Sequence, residues 1–492
     1  MNFSRRKFLQ TGSAVALAAT AGCDRATSDL LPFLKPATTD GPFQPPQSAA
    51  IDLASHFINR LSFGPRPGDY ERIRKLGATE AEAVAAYIEE QLDPARIPDK
   101  LARWAVRRCE TLDDSIGELF EYKERLLLEE LTRGTLLRAV FSERQLFEVM
   151  VQFWTDHFNI ALGKGDTKWL KVADDRDVIR RHAFGHFPAL LRASALSPAM
   201  LWYLDGRSNR RRNSDEKPNE NYARELLELH TLGVHGGYTQ QDVMEVARCL
   251  SGWTVRDKKK YFKGRVEFHA WEHDGGLKRV LGVDIPAGLG ASDLDRVLEI
   301  LVAHPSTAKH VAEKLCRKFI ADEPPAEAVV ATAAAFAASG GDVPTTLRAL
   351  FATEEFWQQA GRGGKFKRPF HFVVSALRAT NAETDASKAL VDYLVRLGHA
   401  PFRYATPDGY PEAASHWQSS LLWRWNFASA LAGNGIKGTS IAAVELRERL
   451  GGDDGLMATV LGRWASEAER GAYHESGLGL ALLLASPAFQ YC

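Results

Sequence analysis

Four ionisable side chains share one face of a predicted helix. On a helical wheel at about 100° per residue, Glu220, Arg224, Glu225 and Glu228 fall on the same side of the segment 219–232. If this face lines a cleft, Glu225 and Glu228, one turn apart, would raise each other's pKa, and Arg224 would hold a neighbouring carboxyl group ionised. This arrangement suits general acid/base catalysis or a carboxylate metal site. The alternative is a solvated face, in which Arg224 pairs with the glutamates four residues before and after it.

Two histidines lie on the apolar faces of predicted helices. His230 points with the leucines of the segment 219–232, and His157 follows Asp156 on the apolar stripe of the segment 142–158. A single histidine of this kind is usually a hydrogen-bonded core residue. Two of them, on helices that pack together, point to a shared site.

Other candidates have simpler explanations. His273 and Asp274 have the chemistry of metal ligands, but a turn between two strands accounts for them equally well. Asp408 is first of all a turn aspartate in Thr-Pro-Asp-Gly-Tyr-Pro. The tryptophans between 417 and 425 are more typical of a core than of a sugar-stacking platform. The sequence contains no G-x-S-x-G, H-E-x-x-H or phosphate-loop motif, and it identifies no cofactor.

Helices must position almost all of these residues. Periods of about 3.6 residues predict an all-α fold, with at most a small β-hairpin near residues 265–285. In that hairpin Val266–Trp271 would pair with Arg279–Val283. Capping boxes are expected at Ser142 with Gln145 and at Thr239 with Asp242. The predicted helices are Ala78–Leu92, Ser142–Phe158, Asn219–Leu232, Gln240–Gly252, Thr307–Ile320, Ala326–Ala338, Pro369–Thr380 and a run from Ser415 to Leu431.

The first 22 residues are typical of a twin-arginine export signal. Arg5 and Arg6 precede Phe8-Leu9, and an apolar run too short to span a bilayer follows from Ala14 to Ala21. The run ends in Thr-Ala-Gly-Cys, which resembles a lipobox and predicts lipidation of Cys23. Simple cleavage of the signal, giving a soluble periplasmic protein, is the alternative.

The expected organisation has three parts. These are a signal peptide over 1–22, a lipidated cysteine with a proline-rich tether over 23–50, and a helical domain over 51–492. The residue at position 24 is Asp, which resembles an inner-membrane retention signal of bacterial lipoproteins. We therefore expect a periplasmic protein held to the inner membrane by lipid.

Composition excludes some classes of function. The chain has 62 basic and 62 acidic side chains, and this balance argues against a nucleic-acid-binding protein. Its cysteines are widely scattered without any C-x-x-C spacing, which excludes the common zinc and c-type haem motifs. Cys249 and Cys316 lie in apolar helix patterns and are simplest to interpret as buried thiols, although one or two disulfides would be allowed in an oxidising compartment.

Several segments carry a resemblance to a known family. They are Ser142-Glu-Arg-Gln-Leu146, Phe153-Trp-Thr-Asp-His-Phe-Asn159, Arg176–Arg180, Ser197–Asp205, Asn219–Gly233, Tyr238-Thr239, Gly252-Trp-Thr254, His304-Pro-Ser-Thr307, Lys367-Arg-Pro369 and Thr406-Pro-Asp-Gly-Tyr-Pro411. Together they resemble the bacterial domain-of-unknown-function family 1800, from about His56 to the C-terminus. The resemblance implies a large exported bacterial protein, often encoded beside an exported protein of domain-of-unknown-function family 1501. It implies no reaction.

The resemblance adds weight to particular residues. Its motifs include Asp156, His157 and Asn159, the polar face of 219–232 together with His230, and also Asp205 and Asp408. The leading hypothesis is a helical periplasmic hydrolase or lyase that acts on an extracytoplasmic glycan or small molecule. In it Glu225 or Glu228 is the general acid/base, and Arg224 and Asn221 orient the reacting groups. His157 and His230 are supporting groups or ligands. The alternative is a non-catalytic, lipid-anchored assembly protein that binds a co-encoded partner.

Overall fold

Helices build most of the chain. The structure, a computed structural model, describes residues 42–213, 215–258, 262–358 and 362–492. The predicted all-α class is confirmed. In chain order the α-helices are α1 Leu53–Leu61, α2 Asp69–Arg74, α3 Glu80–Leu92, α4 Lys100–Val106, α5 Ile116–Leu119, α6 Glu124–Phe141, α7 Gln145–His157, α8 Thr167–Ala173, α9 Phe187–Ala195, α10 Pro198–Tyr203, α11 Asn221–Glu228, α12 Gln240–Cys249, α13 Ser292–Ala303, α14 Pro305–Phe319, α15 Ala326–Ala338, α16 Val343–Phe351, α17 Glu354–Trp357, α18 Pro369–Ala379, α19 Lys388–Arg396, α20 Leu421–Ala432, α21 Ala443–Arg449, α22 Asp453–Leu461, α23 Glu467–Glu475, α24 Leu480–Ala485 and α25 Pro487–Gln490.

Shorter helical turns connect these elements. A π-helix, Asp174–Arg180, continues directly from α8. Wide turns of this type are uncommon and often occur near functional sites. The 3₁₀ turns are Glu110–Leu112, Gly206–Ser208, Ala270–Glu272, Ala414–His416 and Gln418–Ser420.

The strands of the described residues form three antiparallel pairs. They are β1 Trp253–Val255 with β2 Val266–Phe268, β3 Lys278–Val280 with β4 Val283–Ile285, and β5 Glu383–Thr384 with β6 Thr439–Ser440. The hairpin near 265–285 is therefore β3–β4, closed by Leu281 and Gly282, both with positive φ. The predicted pairing of Val266–Trp271 with Arg279–Val283 is wrong. The 3₁₀ turn at 270–272 ends the β2 segment, so each half pairs with a different neighbour.

One large hydrophobic cluster joins buried side chains from Phe43 to Phe489. Helix α18 lies deep inside it, since Phe370, Phe372 and Val373 are fully buried together with nearly every other residue of the helix. Burial on all sides is typical of a helix that other elements enclose. Phe43, within the predicted tether, is itself buried, donates its backbone N–H to Arg449 O and lies under the Arg449 guanidinium.

The predicted helix ends were partly right. The Thr239–Asp242 capping box forms at the start of α12. The box expected at Ser142 does not form, because Gln145 turns inward and its side chain bonds the backbone of Phe63, Ala139 and Ser142. Helix α7 therefore begins three residues later than expected.

The described ranges contain four cysteines. Cys109, Cys249, Cys316 and Cys492 are free and buried, as expected for Cys249 and Cys316. None of the described helices combines the length and the apolar character that crossing a bilayer requires.

Candidate functional site

Helix α11 presents the polar face that the sequence predicted. Tyr222, Ala223, Leu226 and Leu227 are buried, while the glutamates on the other side stay half-buried. The regular helix ends at Glu228, earlier than expected, because the last turn widens and the His230 N–H donates to Glu225 O. This wide turn places His230 in the core.

The end of α11 meets two other helices through backbone carbonyls. The His157 Nε2–H at the end of α7 donates to His230 O at 3.1 Å, and the His310 Nε2–H on α14 donates to Leu229 O at 3.2 Å. The ring of His157 lies 6.2 Å from the rings of both His230 and His310. The two histidines that the sequence singled out are therefore neighbours, and a third joins them.

The loop 404–412 closes over the same place. The Asn159 side-chain amide, just after α7, donates to Tyr404 O at 3.2 Å and to Thr406 O at 2.7 Å. Tyr203 at the end of α10 donates its hydroxyl to Ala405 O at 3.0 Å. We call the place where α7, α11, α14 and the loop 404–412 meet the junction.

Glycine at position 409 allows the loop to approach α7 this closely. Gly409 has a φ of +77°, and a Cβ atom there would overlap Asp156 O. Only glycine combines this left-handed conformation with a backbone contact of this kind. The Thr-Pro-Asp-Gly-Tyr-Pro motif therefore packs its turn directly onto the Asp-His of α7.

Asp156 belongs to a buried ion network behind this loop. Arg368 donates to Asp156 at 2.8 Å and lies 3.2 Å from Glu412, which Lys318 approaches to 3.4 Å. Burial raises the pKa of Asp156 despite Arg368, whereas the charges of Arg368 and Lys318 lower the pKa of Glu412 to about 2, outweighing its burial. Since its charge is already matched, we assign Asp156 to holding the loop on α7.

Two carboxylates at the junction are left without a partner. In the described parts of the chain, the side chains of Glu225 and Asp408 accept no hydrogen bond and form no ion pair. Burial raises the pKa of Glu225, and the neighbouring Glu228 and Asp408 raise it further. Glu225 and Asp408 also raise the pKa of Tyr203, whose largest shift comes from burial, to about 12. Glu225 therefore holds a proton more readily than an ordinary glutamate.

A lysine that sequence analysis missed completes the junction. Lys314 is half-buried on α14, and no atom of the described residues makes a hydrogen bond or ion pair with its ammonium group. Burial lowers its pKa to about 8, although Asp156, Glu412 and Asp408 act in the opposite direction. A signal was present in the sequence, because His310, Lys314 and Lys318 recur every four residues and form one stripe of α14.

The three imidazoles stay neutral at physiological pH. Burial, reinforced by the charge of Lys314, lowers the pKa of His230 to about 3, that of His310 to about 4, and that of His157 well below its ordinary value. Neither ring nitrogen of His230 has a partner among the residues described, and the same holds for His157 Nδ1. These histidines support the junction as neutral groups and do not carry charge there.

The remaining candidates on α11 are engaged elsewhere. Arg224 pairs with Glu220 at 2.7 Å, and both bond the side chain of Gln240 on α12. The hydrogen bond from Arg224 lowers the pKa of Glu220. Glu228 accepts from the Tyr238 hydroxyl at 3.3 Å. Asn221 donates to Asp205 at 3.3 Å, and Lys164 pairs with the same carboxylate at 2.7 Å. This outer half of the face is an ordinary network of surface pairs.

His273 and Asp274 form part of a closed polar cluster, which we call the hairpin clamp. It comprises Arg248, His273, Asp274, Lys278 and Asp293. Asp274 binds Arg248 at 2.7 Å and also Arg211, while Asp293 accepts from His273 at 3.0 Å and from Lys278 at 2.5 Å. Hydrogen bonds and the charge of Arg248 lower the pKa of Asp274 against the effect of its burial. The ligand atoms of this pair are thus occupied by protein groups.

Two further expectations from the sequence concern a metal site and a lipidation site. Within the described ranges no group of three or more His, Cys, Asp or Glu side chains is arranged to hold a metal ion. Cys23, the expected lipidation site, lies outside the described residues.

The comparisons with known proteins agree with the motifs. The model of the family described as "Protein of unknown function (DUF1800)" matches residues 56–491. No curated protein and no solved structure matches the chain. The matched range contains every segment of the junction.

Proposed function

We propose a function for this chain, which belongs to the DUF1800 family, from the unpaired groups at the junction. In this proposal the protein is a general acid/base enzyme of the bacterial cell envelope, a hydrolase or lyase. Its substrate is an extracytoplasmic glycan or small molecule. The observation that carries the proposal is that Glu225 and Asp408 lie without partners at the point where the family motifs meet.

An unpaired carboxylate that is half-buried, as Glu225 is, calls for an explanation. A half-buried carboxylate without a hydrogen bond loses hydration and gains nothing in return, so it lowers stability. Many other half-buried acidic groups of the described residues are paired, as Asp156 is with Arg368. Groups that are left unpaired where several elements converge are typical of sites that bind a substrate.

The two carboxylates have different environments, as acid/base chemistry requires. Glu225 has a raised pKa and serves as the general acid, which donates its proton to a leaving oxygen. Asp408 is exposed on the loop and serves as the second carboxylate, acting on water or on a substrate proton. Tyr238 holds Glu228 beside them, and Glu228 raises the pKa of Glu225.

A screen with a conservative variant tests this role. The purified protein is assayed on cell-wall and periplasmic glycans for new reducing ends or unsaturated products. Glu225→Gln keeps the shape of the side chain but cannot exchange a proton, so kcat should fall by about 10²–10⁴-fold. Glu299→Gln, the same change at an exposed carboxylate of α13, is the control and should leave kcat within about twofold. An activity that survives Glu225→Gln would refute the assignment.

The proposed location rests on the first residues of the sequence. Arg5-Arg6 and the Thr-Ala-Gly-Cys end of the apolar run support twin-arginine export and lipidation of Cys23. Fractionation of cells tests this directly. Cys23→Ala should move the protein from the membrane pellet to the soluble periplasm, and Arg5→Lys with Arg6→Lys should retain it in the cytoplasm. A protein that stays in the membrane fraction without Cys23 would contradict the lipid anchor.

A non-catalytic role has its own support. Leu421, Leu422 and Trp425 are exposed on one face of α20, where apolar side chains are costly unless another surface covers them. An exported partner of the domain-of-unknown-function family 1501 is the candidate. Co-purification of the two proteins should be lost with Leu422→Glu and kept with Glu299→Gln. Binding that is indifferent to Leu422 would exclude this face.

A further inference from the structure

The side-chain amine of Lys314 has no ion-pair partner among the described residues. It lies on the same face of α14 as His310 and Lys318, and this face looks into the junction. Across residues 42–213, 215–258, 262–358 and 362–492, no group donates to it, accepts from it or forms an ion pair with it. The residue is half-buried, and its nitrogen is not among the fully buried side-chain atoms of the described residues that lack a hydrogen bond.

The other lysines in this part of the core are engaged. Lys318 pairs with Glu412 at 3.4 Å, and Lys367 donates to the Ser375 hydroxyl at 3.0 Å. Burial lowers the pKa of both to about 8, but their nitrogens already have partners. Lys314 differs from them because its nitrogen has no hydrogen bond or ion pair with the described residues.

The charges around Lys314 come from four segments. Asp156 and the neutral His157 face it from α7, and the neutral His230 faces it from the end of α11. Asp408 and Glu412 face it from the loop, and on α14 itself the neighbouring charged or titratable groups are His310 and Arg317. Arg368 and Lys318 neutralise Asp156 and Glu412. Asp408 is thus the unmatched charge that faces the lysine.

These surroundings favour one class of ligand. The unpaired carboxylate of Asp408 repels phosphates and other anions, so an anion-binding role for Lys314 is unfavourable. An uncharged electrophile can approach, because the three imidazoles are neutral and the amine loses its proton easily. At pH 7 a pKa of about 8 leaves about a tenth of the amine neutral, a few hundred-fold more than an ordinary lysine has.

We propose that Lys314 forms an imine with the carbonyl carbon of an aldehyde or ketone substrate. The inference rests on the proposed function and deepens it, because it narrows the reaction from hydrolase or lyase to a lyase acting on a carbonyl compound. An iminium ion is a strong electron sink, and it makes cleavage of the neighbouring carbon bond or loss of a neighbouring proton easy. Glu225 is then the acid/base for that second step.

The condensation balances with the groups present. The Lys314 ammonium gives one proton to the Asp408 carboxylate, and the neutral nitrogen attacks the carbonyl carbon to form a C–N bond. A second proton moves from nitrogen to the former carbonyl oxygen, which gives a hydroxyl group. Asp408 returns its proton to this hydroxyl, the C–O bond breaks and water leaves. The product is a protonated C=N bond, and no oxidant or reductant is consumed.

Reductive trapping tests the proposal on the purified protein. Glyceraldehyde, which is small and uncharged, is added at pH 7 with cyanoborohydride, which reduces an iminium to a stable secondary amine. Peptide mapping by mass spectrometry then gives the labelling rate of each lysine. Lys314 should be labelled at least about tenfold faster than Lys309, an exposed lysine of the same helix. Labelling of Lys314 no faster than that of Lys309 overturns the proposal.

A pH series and a variant test whether the label forms on the Lys314 nitrogen. The labelling rate of Lys314 should reach half its maximum near pH 8, well below the pH at which an ordinary lysine side chain loses its proton. Lys314→Arg should remove the label while circular dichroism and the melting temperature show an intact fold. A label that persists on the same peptide in Lys314→Arg, or a Lys314 profile that follows Lys309, counts against the imine.

The outcome is separable from that of the glycan screen. Fast labelling of Lys314 without any Glu225-dependent turnover leaves this inference standing and removes the proposed acid/base function. Turnover that needs Glu225 in a protein whose Lys314 does not label removes the imine and keeps the proposed function. Absence of both refutes both.

Discussion

The hairpin clamp and the junction are two polar clusters of the same fold, and they treat charge in opposite ways. In the clamp, the Asp293 carboxylate meets Lys278 at 2.5 Å and His273 at 3.0 Å, deep in the protein. At the junction, Glu225 and Lys314 are half-buried and neither has a partner among the described residues. The sequence singled out His273 and Asp274 of the clamp and Glu225 and Asp408 of the junction, but not Lys278, Asp293 or Lys314.

The difference separates groups that hold the fold from groups that are available to a ligand. A buried ion pair is costly to break, because either partner alone would be a bare charge in a medium of low dielectric constant. An unpaired group already bears part of that cost in the folded protein, so removing it relieves the cost. Substitutions in the clamp should therefore lower the free energy of unfolding. Substitutions of the unpaired side chains at the junction should leave it unchanged or raise it.

The largest effect is expected in the clamp. Asp293→Ala leaves the Lys278 ammonium buried without its counter-ion and should lower the free energy of unfolding by about 3–5 kcal/mol, measured by urea denaturation. Asp295→Ala on the same helix breaks only an exposed pair with Arg192 and should cost no more than about 1 kcal/mol. Similar losses for the two variants would mean that the clamp does not stabilise the fold.

The backbone packing of the junction should contribute to stability, as the clamp does. Gly409→Ala forces a Cβ atom onto Asp156 O at a φ of +77° and should destabilise the protein by about 2–4 kcal/mol. Gly398 has the same φ with open space around it, so Gly398→Ala isolates the strain of the conformation and should cost about 1 kcal/mol. Equal melting temperatures for the two variants would show that the loop does not pack against α7 as described.

The unpaired lysine should respond in the opposite direction. Its pKa in the folded chain, about 8, lies below the ordinary value of 10.5, so the folded state disfavours the ammonium. The penalty is complete below pH 8 and disappears as the pH rises from 8 to 10.5. Lys314→Met should therefore raise the free energy of unfolding at pH 7 by about 1–3 kcal/mol, and this gain should vanish by pH 10.5.

The pH series for this variant needs a reference, because other buried lysines titrate in the same range. Lys309→Met removes an exposed lysine from the same helix and should change stability by less than about 0.5 kcal/mol at every pH. If Lys314→Met destabilises the protein at pH 7, the lysine is paired in solution and the contrast between the clusters fails.

The smallest effect is expected at the outer pair of α11. A double-mutant cycle of Glu220→Ala and Arg224→Ala should give a coupling energy of only about 0.3–0.5 kcal/mol, since both side chains are solvated. The coupling should fall further in 1 M salt. A coupling energy above about 1.5 kcal/mol would place this pair with the clamp and not with the surface.

Much of the fold could be predicted from the periodicity of apolar residues in the sequence. The helical periods gave the fold class, the buried face of α11 and the burial of both His157 and His230, because side-chain direction in a helix follows from residue spacing alone. The junction itself was only suggested, by two histidines whose helices needed to meet. The strand pairing at 266–283 and the Ser142 cap failed where a distant residue competed for the same hydrogen-bonding groups.

What the tertiary structure alone decided is which charges are matched. Glu220, Glu225 and Glu228 look alike in the sequence, yet one binds Arg224, one meets Tyr238, and Glu225 is left unpaired. Asp156 pairs with Arg368, which lies 212 residues away in the sequence, and Lys314 faces Asp408 across the junction. Electrostatic pairing acts over a few ångströms of space, and which groups come that close depends on how the helices pack rather than on their order in the chain.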